Sequence, residues 1–116
     1  MKWIIILLII AFIAYRMMPA KGVKTITVAE LKKRLSDKNS QFIDVRTSAE
    51  YKGGHIKEFS NIPLNALNAH LSKMDKSKET FVICQSGMRS AQAAKTLKKA
   101  GFERVINVRG GMSAWR

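Results

Sequence analysis

The apolar positions beyond residue 22 fall into short runs that are separated by polar, glycine-containing segments. Five of these runs have the composition of β-strands: residues 24–28, 42–45, 61–62, 81–84 and 105–108. The runs FIDV and FVIC are of the kind that is buried inside a parallel sheet. The pattern therefore predicts a sheet whose central strands are covered on both sides.

Helical signals occupy the intervals between these strand-like runs. Thr27 and Glu30 form a capping-box pattern, which predicts a helix that continues through Leu35. Three further helices are predicted: at residues 64–74, at residues 88–100 and in a short last segment that carries Trp115. Because strands and helices alternate, we expect an α/β fold with a mainly parallel central sheet and helices on both faces.

The first 20 residues are strongly apolar and differ in character from the rest of the chain. Their uncharged run, which ends before Arg16, would span roughly 20 Å as a helix, against a hydrocarbon core of about 30 Å. Met17 and Met18 would extend the apolar length if the Arg16 side chain reached the membrane interface. We predict an uncleaved transmembrane anchor at residues 1–20, followed by one folded domain at residues 21–116.

Two further properties of this segment bear on its processing and its orientation. A cleaved signal peptide is the alternative, but no triplet of small residues follows the apolar run. Cations are more numerous after the segment than before it, where Lys2 stands beside the terminal amine. By the positive-inside tendency we expect a single-pass membrane protein whose folded domain faces the cytoplasm.

Composition excludes several classes of protein. The single cysteine cannot form an intramolecular disulfide and fits a reducing compartment. His55 and His70 lack the ligand spacing of a zinc site, so no metal is expected. The net charge of +13 arises from scattered lysines rather than from a basic stretch interleaved with aromatic residues. We therefore expect no nucleic-acid partner, and a basic surface that suits anionic lipid.

The single cysteine, Cys84, stands where the run FVIC meets the turn QSGMR. Ligands of α/β folds collect at the carboxyl ends of the strands, and the helix predicted after this turn would present backbone N–H groups to an anion. A thiolate is such an anion, so we expect a lowered pKa and a nucleophilic sulfur. Gly87 permits an unusual loop conformation, and Arg89 adds a permanent cation. The alternative is a cysteine that serves only as a small buried apolar side chain.

The sequence CQSGMRS, residues 84–90, resembles the active-site loop of single-domain rhodaneses. The resemblance continues in that family's order through IDVRTSAEYKGGHI, NIP and GGMSAW, and it covers nearly everything after the first 20 residues. It implies the rhodanese fold. It also implies an enzyme, a sulfurtransferase that moves sulfane sulfur from a donor to a nucleophilic acceptor through a cysteine persulfide. No metal or organic cofactor is implied.

Carried over by position, the resemblance implies that Cys84 is the catalytic nucleophile. It also implies that the backbone amides of the following loop bind the thiolate and the persulfide, namely those of Gln85, Ser86, Gly87, Met88 and Arg89. Arg89 either attracts an anionic donor or maintains the shape of the loop, and both roles stay open. Thiosulfate and persulfides both fit as small sulfur donors, and a thiol or a protein fits as the acceptor.

Four further residues match the first signature of the family, and we interpret them as structural: Asp44, Arg46, Glu50 and His55. Asp44 and Arg46 flank Val45, so their side chains would point to the same side and orient neighbouring loops. His55 is expected to hydrogen-bond within a loop rather than to act as a general base. Trp115 is expected to be a packing residue.

Two alternative functions are distinguished by the same loop. Phosphatases and arsenate reductases also place a thiolate in an anion-binding loop that ends in arginine. Four residues separate Cys84 from Arg89 here, whereas the related phosphatases have five, and the shorter loop favours sulfur transfer. The other alternative is a membrane-tethered binding module of rhodanese fold. The presence of the cysteine, which many noncatalytic members of the family lack, argues against that alternative.

Overall fold

The computed structural model describes residues 2–17 and 22–115. Within them lie five strands: β1 (Val23–Ile26), β2 (Gln41–Asp44), β3 (Ser60–Asn61), β4 (Thr80–Ile83) and β5 (Val105–Val108). The same residues form six α-helices: α1 (Lys2–Met17), α2 (Val28–Lys32), α3 (Ser48–Lys52), α4 (Leu67–His70), α5 (Met88–Lys99) and α6 (Gly111–Ala114). Short 3-10 turns flank α4 on both sides, at Leu64–Ala66 and Leu71–Lys73.

The strands form one sheet in the order β1-β5-β4-β2-β3, and every pairing is parallel. The middle strand is therefore β4, and every residue of β4 and of β5 is buried. Because the strands all run in the same direction, their carboxyl ends meet at one edge of the sheet. Cys84 follows β4 directly and so lies at the centre of that edge.

Each face of the sheet carries a hydrophobic core. On one face, α5 packs against β4 and β5 through a stripe of small and apolar residues: Ser90, Ala93, Ala94 and Leu97. On the other face, the rings of Phe42 and Phe81 stack with their centroids 5.0 Å apart, and Leu31 joins them from α2. This two-sided burial confirms the predicted α/β fold, with a parallel sheet flanked by helices.

The predicted elements match the observed ones to different degrees. β5 coincides with the predicted 105–108, and the other strands are displaced by a residue or two. The capping box is confirmed: Thr27 accepts a hydrogen bond from the Glu30 N–H, and Glu30 accepts one from the Thr27 N–H. However, α2 ends at Lys32 rather than Leu35, and the helix expected at residues 64–74 is three short pieces, two of them 3-10 turns.

The predicted membrane anchor is wrong. α1 has 16 residues and would be about 24 Å long, which is shorter than the hydrocarbon core of about 30 Å. Among residues 2–17 and 22–115, no helix is both long enough and apolar enough to span a bilayer. Met18, on which part of the expected length depended, lies outside the described residues. The same finding overturns the predicted single-pass location with a cytoplasmic domain.

Candidate active site

Cys84 is fully buried at the point where β4 ends and its loop begins. The Gly87 N–H donates a hydrogen bond to Cys84 Sγ at 3.0 Å, so the loop folds back over the sulfur. The thiol in turn donates to Ser90 Oγ at 3.3 Å, in the first turn of α5. The sulfur therefore sits between a loop amide, the kind of donor that the sequence pattern predicted for an anion here, and a helix hydroxyl that it did not predict.

Opposing effects set the pKa of the Cys84 thiol. Burial raises this pKa, because a charged sulfur loses its hydration. Hydrogen bonds from the Ser90 side chain and backbone, and from the Gly87 and Ser86 amides, stabilise the thiolate, and together they leave the pKa below its ordinary value. The hydrogen bonds around the sulfur thus lower the pKa of the Cys84 thiol, as the sequence predicted.

A buried polar network orients Ser90. Its hydroxyl donates to Asn107 Oδ1 at 2.5 Å and lies 3.1 Å from the Gly87 carbonyl oxygen. Asn107 Nδ2 donates to that same carbonyl at 3.4 Å. Since a hydroxyl carries only one hydrogen, Ser90 accepts from the neutral thiol in this arrangement and must turn that hydrogen to the sulfur once a thiolate forms.

The short helix α6 holds the other side of the active-site loop. The Met112 N–H donates to the Cys84 carbonyl at 2.8 Å, and the Ser113 N–H donates to the Gln85 carbonyl at 2.9 Å. Gly111 makes this approach possible, because a Cβ at this position would lie 2.2 Å from the Cys84 carbonyl oxygen. The motif GGMSAW thus holds the active-site loop through two backbone hydrogen bonds, a role that its composition did not indicate.

A conformation that favours glycine also shapes the loop itself. Gly87 has a φ of +104°, which side-chain-bearing residues rarely adopt, and it directly precedes α5. The Gly87 N–H points to the sulfur, and the positive φ directs the chain that follows it into α5, where the Ala91 N–H donates to the Gly87 carbonyl at 3.1 Å. The predicted conformational role of Gly87 is confirmed.

Arg89 forms a bidentate ion pair with Glu50. Arg89 Nη1 lies 2.7 Å from Glu50 Oε1, and Nη2 lies 2.9 Å from Oε2. The hydrogen bond with Arg89, followed by that with the Thr47 amide, lowers the pKa of Glu50 to about 2. The hydrogen bond with Glu50 raises the pKa of Arg89, and the charge of the Cys84 thiolate raises it further. A residue that we interpreted as structural is therefore the direct partner of the loop arginine.

The remaining loop residues face outward. Gln85 donates to Ser113 Oγ at 3.3 Å, while Ser86 is exposed and Met88 is 80% exposed. The described contacts of the sulfur thus come from Gly87, Ser90 and the Ser86 amide, while Gln85 and Met88 form the rim of the site. Their predicted amide contacts with a persulfide stay predictions.

A groove of about 430 Å³ opens beside the Arg89–Glu50 pair. Arg89, Gln92 and Thr96 form its α5 side, and the loop after β2 with the first 3-10 turn forms the opposite side, through residues that include Thr47 and Leu64. The groove therefore borders the active-site loop and is large enough for a small molecule or a few side chains of a partner.

The other signature residues build the scaffold, as predicted. The buried Arg46 Nη2 lies 2.8 Å from Asp44 Oδ2 and donates to the Gly54 carbonyl, also at 2.8 Å, so the pair orients the loop around α3. His55 stacks on Tyr51, with ring centroids 3.7 Å apart, and its Nδ1 lies 2.9 Å from the Tyr51 carbonyl.

Trp115 also has the packing role that its sequence position indicated. It packs against the core that contains Phe42 and Phe81, and Lys32 Nζ lies 5.1 Å from the centre of its ring.

Among residues 2–17 and 22–115, no cluster of three or more histidine, cysteine or acidic side chains could hold a metal ion.

Sequence reasoning missed three residues of the site. Ser90 and Asn107 are brought together by the packing of α5 on β5, which no local pattern reveals. The one available signal was Asn107 itself, a polar residue inside the buried run VINV. Gly111 lies within GGMSAW, one of the motifs that resemble the family, but nothing in that motif indicated a close approach to the Cys84 carbonyl.

Comparison with known proteins agrees with this geometry. Residues 27–116 match the model of the rhodanese-like domain family. The chain is 35% identical over 94 residues to a sulfurtransferase from Allochromatium vinosum, covering 80% of this chain and 88% of that protein. It is 37% identical over 97 residues to YrkF of Bacillus subtilis, covering 83% of this chain but 52% of YrkF.

A solved structure gives the same result. The crystal structure of a rhodanese-like domain protein from Staphylococcus aureus superimposes with a TM-score of 0.74 at 36% identity. The match covers 80% of this chain and 91% of that one. The chain belongs to the rhodanese-like domain family and is a rhodanese-type sulfurtransferase.

Proposed function

We propose that Cys84 is the sulfur-carrying nucleophile of this sulfurtransferase. The observation that supports it most directly is the Gly87 N–H, which lies 3.0 Å from Cys84 Sγ at the carboxyl edge of the sheet. A buried thiol whose pKa is nevertheless lowered is suited to attack and to carry a charged sulfur. The domain that performs this reaction is proposed to comprise residues 21–116, in accord with a first strand that begins at Val23.

The reaction proceeds in two displacements. In the first, the Cys84 thiolate attacks the sulfane sulfur of the donor and forms a new S–S bond. The donor's own bond to that sulfur breaks, and the leaving group departs with the electron pair as sulfite from thiosulfate, or as a thiolate from a persulfide. In the second, a nucleophilic acceptor attacks the outer sulfur, and the electron pair of the broken S–S bond returns to Cys84 as thiolate.

The loop has distinct tasks in the two steps. The amides of residues 85–89 stabilise the negative charge, first on the thiolate and then on the outer sulfur of the persulfide. The exposed rim that includes Gln85, Ser86 and Met88 leaves the outer sulfur open to a thiol or a protein acceptor. The neighbouring groove of about 430 Å³ offers room for a segment of that acceptor.

Intact-protein mass spectrometry tests this function. The 116-residue chain is exposed to thiosulfate and, separately, to cysteine persulfide, with Cys84→Ser as the control. We expect a one-sulfur adduct on the wild-type chain, discharged by cyanide or a thiol, and none on the variant. An adduct of equal yield on Cys84→Ser, or no adduct from either donor, would contradict the proposal, and the second result would favour a binding module of the same fold.

A further inference from the structure

The cation that closes the active-site loop is already engaged by an anion of the same chain. Both terminal nitrogens of Arg89 donate to the two carboxylate oxygens of Glu50, at 2.7 and 2.9 Å. The two side chains are 36% and 33% exposed, so the pair borders solvent at the mouth of the site. A bidentate pair of this kind leaves little of the guanidinium charge available to a donor molecule.

Glu50 is held firmly in the position that engages Arg89. Glu50 Oε1 also accepts hydrogen bonds from the Thr47 N–H at 3.0 Å and from Thr47 Oγ1 at 3.1 Å. The first of these bonds, together with the Glu50 N–H that donates to Thr47 Oγ1 at 3.2 Å, forms the capping box of α3. The Glu50 carbonyl accepts from Arg46 Nη1 at 3.3 Å. Moving the carboxylate away from Arg89 would therefore cost the cap of a helix as well as the ion pair.

The charge balance around the loop bears directly on the donor. Arg89 is paired with Glu50, and Arg46, which contacts the Glu50 carbonyl, is paired with Asp44. A thiosulfate dianion approaching the Cys84 thiolate meets like charge, and a free arginine would offset that repulsion. A persulfide such as cysteine persulfide carries less negative charge and depends less on such an offset.

We propose that Glu50 determines donor specificity: by holding Arg89 in a neutral ion pair, it disfavours dianionic donors such as thiosulfate relative to less charged persulfides. This inference rests on the proposed function of Cys84. It assigns Glu50 a role in selecting the donor, in addition to its structural role as the cap of α3.

The chain supplies a matched control for this test. The substitution Glu50→Gln removes the charge but keeps an oxygen that can accept from Thr47, because glutamine also suits the third position of a capping box. Glu30 occupies the equivalent position of the capping box on α2, with the same contacts to Thr27 at 3.2 and 3.1 Å. Glu30→Gln therefore changes the net charge and a helix cap in the same way, but outside the active site.

The measurement is kcat/KM for thiosulfate and for cysteine persulfide with each protein, at low and at high salt. For Glu50→Gln we expect the thiosulfate-to-persulfide ratio to rise about fivefold, the upper range for an ion pair this exposed, and to rise less at high salt. For Glu30→Gln we expect the wild-type ratio. A double variant that adds Arg89→Gln to Glu50→Gln should return to the wild-type ratio, because both charges are then absent.

The outcomes separate this proposal from the one on which it rests. A wild-type adduct on Cys84 together with an unchanged ratio in Glu50→Gln would overturn donor selection alone. Equal losses with both donors would also overturn it, since Glu50 would then only order the loop. A raised ratio that persists in the double variant would exclude the charge of Arg89 as the cause. No adduct on the wild-type chain from either donor would overturn both proposals.

Discussion

Removing the Ser90 hydroxyl should weaken the nucleophile without changing the loop. Ser90→Ala deletes the group that lies 3.3 Å from Cys84 Sγ and leaves the backbone N–H of Ser90 and that of Gly87 in place. The substitution creates almost no cavity, and it removes a hydroxyl that is bonded to Asn107 rather than an apolar packing group.

The magnitude follows from the strength of a hydrogen bond to a charged group, which is about 1.5–3 kcal/mol. Because other donors to the sulfur remain, the lower end of this range applies. About 1.4 kcal/mol corresponds to a tenfold smaller fraction of thiolate at a pH below the pKa. We therefore expect alkylation of Cys84 by iodoacetamide, compared at a pH on the acid side of the wild-type titration, to be about tenfold slower in Ser90→Ala.

The assay is the alkylation rate measured as a function of pH. The pKa of the Cys84 thiol should move upward in Ser90→Ala, because the direct hydrogen bond that stabilises the thiolate is lost. Thr96→Val is the control, since it removes a hydroxyl from the same helix that bonds only to the Gln92 carbonyl, at 3.2 Å. If the profile of Ser90→Ala superimposed on that of the wild type, the assignment of Ser90 as a thiolate donor would be refuted.

Three further predictions concern the scaffold of the site. Gly111→Ala should slow sulfur transfer to cyanide about tenfold or more, because the added Cβ would lie 2.2 Å from the Cys84 carbonyl oxygen. Gly101→Ala is the control: both glycines have a positive φ, so this variant should also lose stability, but it should retain activity. Arg46→Met should lower the free energy of unfolding by about 3–5 kcal/mol in urea titrations, since it leaves the buried Asp44 without a counter-charge; a loss below about 1 kcal/mol would contradict this. The pKa of Glu50 is lowered to about 2 in the folded chain from 4.5, so its contribution to stability is complete above pH 4.5 and is lost as the pH falls toward 2. That contribution is at most about 1 kcal/mol for so exposed a pair, and the urea midpoint of Glu50→Gln should therefore change less between pH 6 and pH 3 than that of the wild type.

Local patterns predicted the parts of the fold that local physics determines. The runs FVIC and VINV are short and mainly apolar, which is typical of strands buried inside a parallel sheet. Because FVIC ends at Cys84, the pattern also predicted that the cysteine lies at the start of the loop. The capping box of Thr27 and Glu30 starts α2 as predicted, because both of its hydrogen bonds lie within four residues. The same motif at Thr47 and Glu50 starts α3.

Tertiary contacts explain what could not be predicted. Glu50 and Arg89 lie 39 residues apart, and only the pairing of β2 with β4 brings them together. The bond between Ser90 and Asn107 likewise depends on the way α5 packs across β5. The predicted anchor failed for a different reason, since apolar composition alone does not determine the length of a helix, and α1 is 16 residues long.

The dependence of the active-site loop on α6 has a consequence for how the protein is made. Chains emerge from the ribosome with the N-terminus first, so β1 to β5 are all synthesised before Met112 and Ser113. A nascent chain can therefore complete its sheet while the carbonyls of Cys84 and Gln85 still lack their α6 partners. The active-site loop is therefore fully supported only after Met112 and Ser113 have also left the ribosome, so the hydrogen bonds that hold the site are completed after those of the sheet.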